Sequence, residues 1–359
     1  MAASSNMANP FTPELITSIL SYLHDYPQTL RHCILINKEW HTIARSQLYH
    51  TPRLVTRAAW RKFIISLVVK PELGTFVRRL DLSRVVNRAW LIKEWEVVSV
   101  FRLCRNVEEI DLAGCAKIQH LSPMTPFWTR VRHLRLSGCD VANLSLLSIT
   151  ANCSTYLTTI DFSGCRNVTS EALYPLVINS PSLRHLDVSS SAVGDELFDG
   201  IARIQHLGGA RNLLSLRCLR CYGVLFDSGA AIRLRELDLR GCRISGKNLF
   251  PFVERNPELT YLALGMLKSM PCITDRFLSH VAAYCPRIRE LVLLGCINVT
   301  SASVAKLVAG CTELERLHLY KGGINEKDVM TIVNGLPRLR ELNVASRFID
   351  KIIDIIIGQ

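Results

Sequence analysis

A nine-residue pattern that returns eleven times constrains this chain more than any other feature of its sequence. Its clearest copy is IRELVLLGC at 288–296, with apolar residues at positions 1, 4 and 6 and cysteine at position 9. The copies start at residues 77, 107, 131, 157, 183, 213, 234, 259, 288, 314 and 339. Spacings of 21 to 30 residues indicate a chain built from stacked, similar units rather than around one compact core.

Alternation within the pattern predicts a short strand in every unit. Successive side chains of a strand point to opposite faces, so positions 4 and 6 face inward while positions 3, 5 and 7 form an open inner surface. Glycine at position 8 lets the chain turn out of the strand, and the cysteine at position 9 is a small buried filler. The frame L-x-x-L-x-L-x-x-[NC] is the signature of leucine-rich repeats, in which neighbouring units must stack to bury their apolar faces.

Between the strands, a second pattern predicts helices. Apolar residues followed by a capping residue stand at Val168-Thr169, Ile244-Ser245, Ile273-Thr274, Val299-Thr300 and Ile324-Asn325. A helix after each strand makes the predicted fold class α/β, a right-handed solenoid of about eleven repeats with a horseshoe shape, preceded by a small all-α module. Residues 192–212 and 265–272 break the pattern, and we predict loops there.

Thirteen cysteines raise the question of disulfides or zinc. Six occupy position 9 of a repeat and four stand where a helix would end, so we expect free structural thiols in a reducing compartment. Cys218 and Cys221 form the C-x-x-C pair of the sequence, and zinc would need a second pair or nearby histidines. We therefore expect no metal and no cofactor.

Composition also bears on partners and location. The N-terminus has no basic region followed by an apolar core, and no run of about 18 apolar residues occurs, so we expect neither a secretory signal nor a membrane span. The formal net charge of +12 is dispersed and lacks an aromatic-basic motif, which favours a solvated basic surface over a nucleic-acid site. These features are typical of a cytoplasmic or nuclear protein.

Residues 10–50 contain three short segments with helical apolar spacing. Leu15, Ile16, Ile19, Leu20 and Leu23 form one stripe on the first segment. Three short helices make a marginal unit by themselves, so this much apolar surface predicts a partner.

The order and spacing of Glu14-Leu15, Ile19-Leu20, Tyr22-Leu23, Ile36, Trp40 and Leu48-Tyr49 resemble the F-box, although Phe11-Thr12 stands where Leu-Pro is usual. The segment 70–83 is similar to the lead-in of fungal-type F-box/leucine-rich-repeat proteins of the cysteine-containing subclass, so the resemblance covers essentially the whole chain. It implies binding to a Skp-family adaptor and, through that adaptor, to cullin and RING subunits of an SCF ubiquitin ligase. The implied adaptor-binding residues are Phe11, Pro13, Leu15, Ile16, Ile19, Leu20, Leu23, Ile36, Trp40, Leu48 and Tyr49.

The predicted domains follow from these patterns. They are a disordered N-terminus (1–9), the F-box (10–50), a linker helix (51–76), the leucine-rich repeats (77–347) and a C-terminal tail (348–359). The tail either covers the open end of the last repeat or reflects a truncated product.

Two functions compete at this stage. One is a non-catalytic substrate receptor of the ligase, and the other is a leucine-rich-repeat scaffold that does not engage a ligase. An enzyme is disfavoured because the sequence has no P-loop, G-x-S-x-G or H-E-x-x-H motif.

The inner-face positions change along the array and predict where a protein substrate would bind. Aspartates mark the early repeats, arginines the middle, and aromatic or aliphatic residues the late repeats, a mixture typical of protein-binding hot spots. The arginines could also bind a phosphate or carboxylate, so phosphorylated and unmodified substrates both remain open. The predicted substrate-binding residues are Arg217, Arg220, Arg240, Tyr261, Met266, Val292, Leu294, His318 and Tyr320, unless the tail covers the late ones.

Overall fold

The computed structural model describes residues 11–23, 26–85, 92–207, 212–227, 232–265, 271–320 and 323–344. The predicted N-terminal segment (1–9), the predicted tail (348–359) and Met266 lie outside this range. The chain divides into two compact units, residues 1–135 and 136–359.

The first unit begins with four helices, and a fifth helix lies between the first two of its three parallel strands. The helices are α1 (Pro13–Ser21), α2 (Pro27–Cys33), α3 (Lys38–His50), α4 (Arg57–Val69) and α5 (Glu94–Leu103), with 3-10 turns at Pro71–Phe76 and Thr125–Phe127. The strands are β1 (Arg79–Asp81), β2 (Glu109–Asp111) and β3 (His133–Arg135). They pair in chain order, β1 with β2 and β2 with β3.

The first three helices form the predicted all-α module around a small core. Helix α1 begins where the Thr12 hydroxyl accepts the Leu15 N–H at 3.4 Å, so Thr12 caps the helix at the position where the resemblance expects proline. Helix α3 begins where the Asn37 side chain accepts the Trp40 N–H at 2.9 Å. The core residues of this module are Ile16, Leu20, Leu30, Cys33 and Ala44.

The predicted linker helix is α4 followed by a 3-10 turn, and a buried carboxylate ties it to α5. Glu96 accepts two hydrogen bonds from Arg57, at 2.5 and 2.7 Å, one from the Lys93 N–H and one from the Trp60 indole. Burial raises the pKa of Glu96, but the Arg57 and Lys93 hydrogen bonds outweigh it, so the pKa is lowered. The sequence pattern did not reveal this contact, because its partners lie 36 and 39 residues apart.

The second unit alternates strands and helices. Its strands are β4 (Thr159–Asp161), β5 (His185–Asp187), β6 (Ser215–Arg217), β7 (Glu236–Asp238), β8 (Tyr261–Gly265), β9 (Glu290–Leu294), β10 (Arg316–Tyr320) and β11 (Glu341–Val344). Its helices are α6 (Asn143–Cys153), α7 (Ser170–Ile178), α8 (Asp195–His206), α9 (Leu249–Arg255), α10 (Asp275–Tyr284), α11 (Ser301–Gly310) and α12 (Glu326–Gly335). The parallel strands pair in sequence order from β4 to β11.

Every strand in the described residues begins at position 3 of a predicted repeat, which confirms the α/β solenoid class and its repeat frame. The position-4 and position-6 side chains fill the core, as Leu291 and Leu293 do in β9. Thr169, Thr274, Thr300 and Asn325 cap helices as predicted. Ser245 does not, because its hydroxyl binds Asp227 and α9 begins only at Leu249.

One predicted loop was wrong. Residues 195–206 within the predicted loop 192–212 form α8, which buries Leu197, Phe198, Ile201 and Ile204. The residue before this helix is Gly194, which has no capping side chain, so the start signal used elsewhere was missing.

The turns after the strands follow the predicted chemistry. At position 8, Gly164 and Gly241 have positive φ angles of 73° and 78°, and Ser190 and Arg220 adopt similar angles of 55° and 56° without being glycine. The position-9 thiols are buried, and those of Cys165, Cys221 and Cys242 donate to backbone carbonyls of the preceding repeat, as Cys165 does to Leu136 O at 3.1 Å. All thirteen cysteines are free thiols.

Candidate functional site

The first candidate site is an apolar surface on the helical module of the first unit. Its exposed side chains are Phe11, Leu15, Ile19, Tyr22, Leu35 and Ile36, which we call the module surface. Phe11 packs edge-on against half-buried Trp40, with ring centroids 6.1 Å apart. The core beneath is already filled, so these side chains do not stabilise the module by burial within the unit.

The predicted adaptor-binding residues differ in exposure. Ile16 and Leu20 are fully buried, so they shape the helices but offer no surface to a partner. Tyr49 stacks on Phe63 of α4, with ring centroids 6.4 Å apart, and therefore faces the linker helix. Pro13 is exposed at the start of α1, while Leu23 and Leu48 are half-buried against the core.

Two residues of the module surface were not among the predicted adaptor-binding residues, although Tyr22 was part of the F-box resemblance. Tyr22 is 79% exposed and Leu35 is 80% exposed. Tyr22 follows the end of α1 and Leu35 lies between α2 and α3, where helical periodicity does not indicate facing.

The second candidate site lies on the inner surface of the second unit and is organised by Asp238. This carboxylate is only 3% exposed. It accepts hydrogen bonds from the Arg240 guanidinium at 2.7, 3.0 and 3.2 Å and from the Tyr261 hydroxyl at 3.0 Å. Arg217 then lies over the Tyr261 ring, 5.8 Å from its centroid. Burial, reinforced by the Asp238 charge, raises the pKa of Tyr261, so the ring remains a neutral donor.

A groove of about 450 Å³ opens beside this cluster. It is lined by Arg217, Glu236, Thr260, Tyr261, Arg289, Glu290 and Arg316. Arg316 is paired with Glu290 across β9 and β10, and Arg289 lies 3.6 Å from Glu313. Among the described residues, Arg217 and Glu236 form no salt bridge, although the Arg217 charge acts on Asp187 of the neighbouring strand. Both can contribute charge to ligand binding.

The predicted substrate set is only partly assembled here. Arg217 and Tyr261 line the groove, whereas Arg240 is held by Asp238 and Val292 is 5% exposed. Both Arg240 and Val292 are therefore poorly placed to contact a ligand.

The remaining predicted residues lie outside the groove lining. Arg220 is exposed in the turn after β6, Leu294 is half-buried at the end of β9, and Tyr320 is exposed. His318 lies 3.4 Å from Glu341.

Sequence reasoning missed several residues that line this groove. Glu236, Glu290 and Arg316 occupy position 3 of their repeats, and Thr260 and Arg289 occupy position 2. The prediction drew mainly on positions 5 and 7 and took only Tyr261 from position 3. Position 3 had been assigned to the inner surface, so the same signal could have identified Glu236, Glu290 and Arg316.

The described part of the chain shows neither a metal-binding cluster nor a membrane-spanning helix. No cluster of three or more histidine, cysteine or acidic side chains there could hold a metal ion. No helix there is long and apolar enough to cross a membrane.

Comparison with family models separates the chain into two kinds of segment. Residues 11–88 match the COS11 F-box domain. Residues 179–196 and 233–253 match leucine-rich-repeat models. The first match contains the module surface, and the second and third lie within the unit that holds the groove.

Two curated relatives match a short stretch of this chain. The F-box protein COS111 of Candida glabrata is 32% identical over 74 residues, which are 21% of this chain and 8% of that protein. The Kluyveromyces lactis protein of the same name is 29% identical over 79 residues, 22% of this chain and 11% of that protein. This chain therefore matches only a small part of the curated relatives' length.

A solved structure shares the architecture over nearly the whole chain. A chain in the crystal structure of the yeast Rad7 and Elc1 complex superposes with a TM-score of 0.55 and 13% identity, covering 92% of both chains. At this level of identity the similarity concerns the fold alone.

Proposed function

We propose that this chain, an F-box followed by leucine-rich repeats, is the substrate-recognition subunit of an SCF-type ubiquitin ligase. The observation that carries the proposal is the module surface. It exposes six large apolar side chains on a helical module whose own core is complete. Such a surface is unfavourable in water and favours a protein partner, here a Skp-family adaptor.

The proposed mechanism is proximity rather than catalysis by this chain. The adaptor links the F-box to cullin and RING subunits, and the repeats hold a protein substrate near the charged conjugating enzyme. Tethering raises the effective concentration of the substrate lysine at the thioester, so no side chain of this protein need take part in bond making. The proposed outcome is ubiquitination and proteasomal degradation of the substrate, in the cytoplasm or nucleus.

The adaptor part of the proposal is tested by changing Leu15→Asp together with Ile36→Asp. Both side chains are exposed, so the change should spare the core while burying two charges in the proposed interface. Co-purification with the adaptor and cullin should fall at least about tenfold. The matched control is Ile65→Asp with Val69→Asp, two exposed apolar residues of α4, which should retain wild-type recovery.

Recovery of adaptor and cullin at wild-type yield by the Leu15/Ile36 variant would exclude the module surface as the docking site. If the unmodified chain recovers neither protein, the alternative of a repeat scaffold without a ligase is favoured.

The substrate part of the proposal places recognition at the groove beside Asp238. Arg217 offers an exposed guanidinium without a salt bridge among the described residues, next to an aromatic face that the Asp238 hydrogen bond holds in place. A substrate segment with an acidic side chain beside an apolar one fits this arrangement, whether that acid is a carboxylate or a phosphate.

The Arg217→Glu variant tests this placement. Affinity purification with the ligase inhibited should lose substrate proteins by at least about tenfold while adaptor recovery is unchanged. Arg203→Glu, on an exposed position of α8, provides the same change of net charge away from the groove. Equal loss in both variants, or in neither, would count against the groove.

A further inference from the structure

A second groove, in the first unit, is lined by three basic side chains. It encloses about 870 Å³ between α2, the C-terminal end of α3, the irregular segment 51–56 and α4. Arg31, Arg53 and Lys62 line it, and no described lining residue is acidic. None of these three side chains has an ion-pair or hydrogen-bond partner within the described part of the chain.

A smaller groove beside it differs, because two of its arginines lie next to acidic side chains. It encloses about 280 Å³ and also contains Arg53, together with Arg79, Asp81 and Arg84. There Arg79 lies 3.3 Å from Glu109, and Arg84 lies 3.7 Å from Asp81. The positive charge that lacks compensation is therefore concentrated in the larger groove.

The wall of the larger groove also offers backbone groups. Within the described residues, the amides and carbonyls of Arg53 and Leu54 make no backbone hydrogen bond. Polar backbone groups need partners, and an extended peptide can supply both donors and acceptors along such a segment.

Aromatic and aliphatic side chains complete the lining and bear on the class of ligand. Tyr49 stacks on Phe63, and Phe63 stacks in turn on Trp60 at a centroid distance of 6.1 Å, so these ring faces are already occupied. Bases of a single-stranded nucleic acid need free ring faces for stacking, and only Tyr26 is a largely exposed aromatic ring here. Leu48 and the edge of Tyr49 instead offer contacts to aliphatic side chains.

We propose that this groove binds an extended acidic peptide segment of a partner protein, with carboxylates at Arg31, Arg53 and Lys62 and its backbone along residues 53–54. The site shares no residue with the module surface or with the groove beside Asp238, although Leu48 and Tyr49 also belong to the predicted adaptor-binding set. The proposal does not rest on the ligase function.

The test uses the full chain and a fluorescein-labelled peptide of about twelve residues, rich in aspartate and glutamate with two leucines. Fluorescence anisotropy should show binding that weakens about tenfold or more in the variant R53E/K62E, because two attractive contacts become repulsive. R102E/R105E carries the same change in net charge on exposed residues of another helix end and should bind like the wild type. The conservative R53K variant should retain most of the affinity.

Three outcomes would overturn the proposal. One is no measurable binding of the peptide by the wild type. Another is an equal loss in both charge-reversal variants, which indicates attraction to net charge alone. The third is a labelled oligothymidine that binds more tightly than the peptide and loses affinity in R53E/K62E, which would make the groove a nucleic-acid site. Thermal transitions of all variants, measured by circular dichroism, must match the wild type for the comparison to count.

Discussion

Early and late strands of the second unit differ in length, and one side chain accounts for much of the difference. Strands β4 to β7 each span three residues, whereas β8 to β10 span five. At position 5, three of the four short strands end in aspartate: Asp161, Asp187 and Asp238. The long strands have alanine, valine and histidine there.

The aspartate ends the strand by binding its own backbone. Asp161 accepts the N–H of Ser163 at 2.8 Å, and Asp187 accepts the N–H of Ser189 at 2.9 Å. This local turn diverts the chain from the extended conformation two residues after the carboxylate. Ala263 and Val292 cannot accept such a bond, so pairing continues to Gly265 and Leu294.

The difference has a consequence for recognition. At position 5, β4 and β5 place carboxylates that the fold already uses, whereas β8 and β9 place the buried apolar side chains Ala263 and Val292. The groove beside Asp238 lies where the two kinds of strand meet, between β6 and β10. It therefore combines Arg217 and Glu236 of the short strands with Tyr261 and Glu290 of the long ones.

Among the variants that test this difference between strands, Gly265→Ala at the end of β8 should lose the most stability. Gly265 has a φ of 111°, and an added Cβ would fall on the carbonyl oxygen of Leu294 in β9. Because backbone must move, we expect a loss of about 3 kcal/mol or more in the free energy of unfolding. Urea unfolding followed by circular dichroism measures it.

Gly323→Ala is the matched control. A Cβ there would meet Val299 O at 3.4 Å, an ordinary contact, so a small effect is expected. Similar losses in the two variants would show that the close approach of β8 and β9 is not special.

Sequence periodicity was sufficient for the repeats but not for the contacts that join them. Leu291 and Leu317 both stand at position 4 of their repeats, and they are paired in neighbouring strands. The repeat frame therefore predicted the strand register and the core residues. The Glu96–Arg57 pair and the Asp238–Tyr261 hydrogen bond do not recur from repeat to repeat, so the repeat pattern could not predict them. The start of α8 was missed for a local reason, since Gly194 offers no side-chain cap.

An intermediate loss of stability is expected for Asp187→Ala in the early strands. Asp187→Ala leaves the half-buried Ser189 N–H without its acceptor and should cost about 1–2 kcal/mol. Asp187→Asn keeps an oxygen acceptor. Burial raises the pKa of Asp187, so its charge is unfavourable in the native state, and the asparagine variant should be at least as stable as wild type at pH 7.

The stability difference between Asp187→Asn and the wild type should depend on pH. A raised native pKa means that the wild type regains stability as pH falls through that pKa towards the unfolded value near 4. The advantage of Asp187→Asn over the wild type should therefore shrink between pH 7 and about pH 4, as measured by urea midpoints. An asparagine variant as unstable as the alanine variant at pH 7 would refute the burial argument.

The smallest effect should come from the turn after β6, where Arg220 adopts a positive φ of 56°. Neighbouring repeats place Gly164 and Gly241 at the same position, because glycine adopts this conformation without strain from a Cβ. Arg220→Gly relieves that strain but gives the unfolded chain more conformational freedom, so the two terms largely cancel. We expect a net gain of about 0.5 kcal/mol at most.

Arg220→Ala separates the causes, since it removes the same side-chain contacts and keeps the Cβ. If the glycine variant melts below the alanine variant, the positive φ is not a source of strain, and the turns of β6 and β7 differ in more than their residue type.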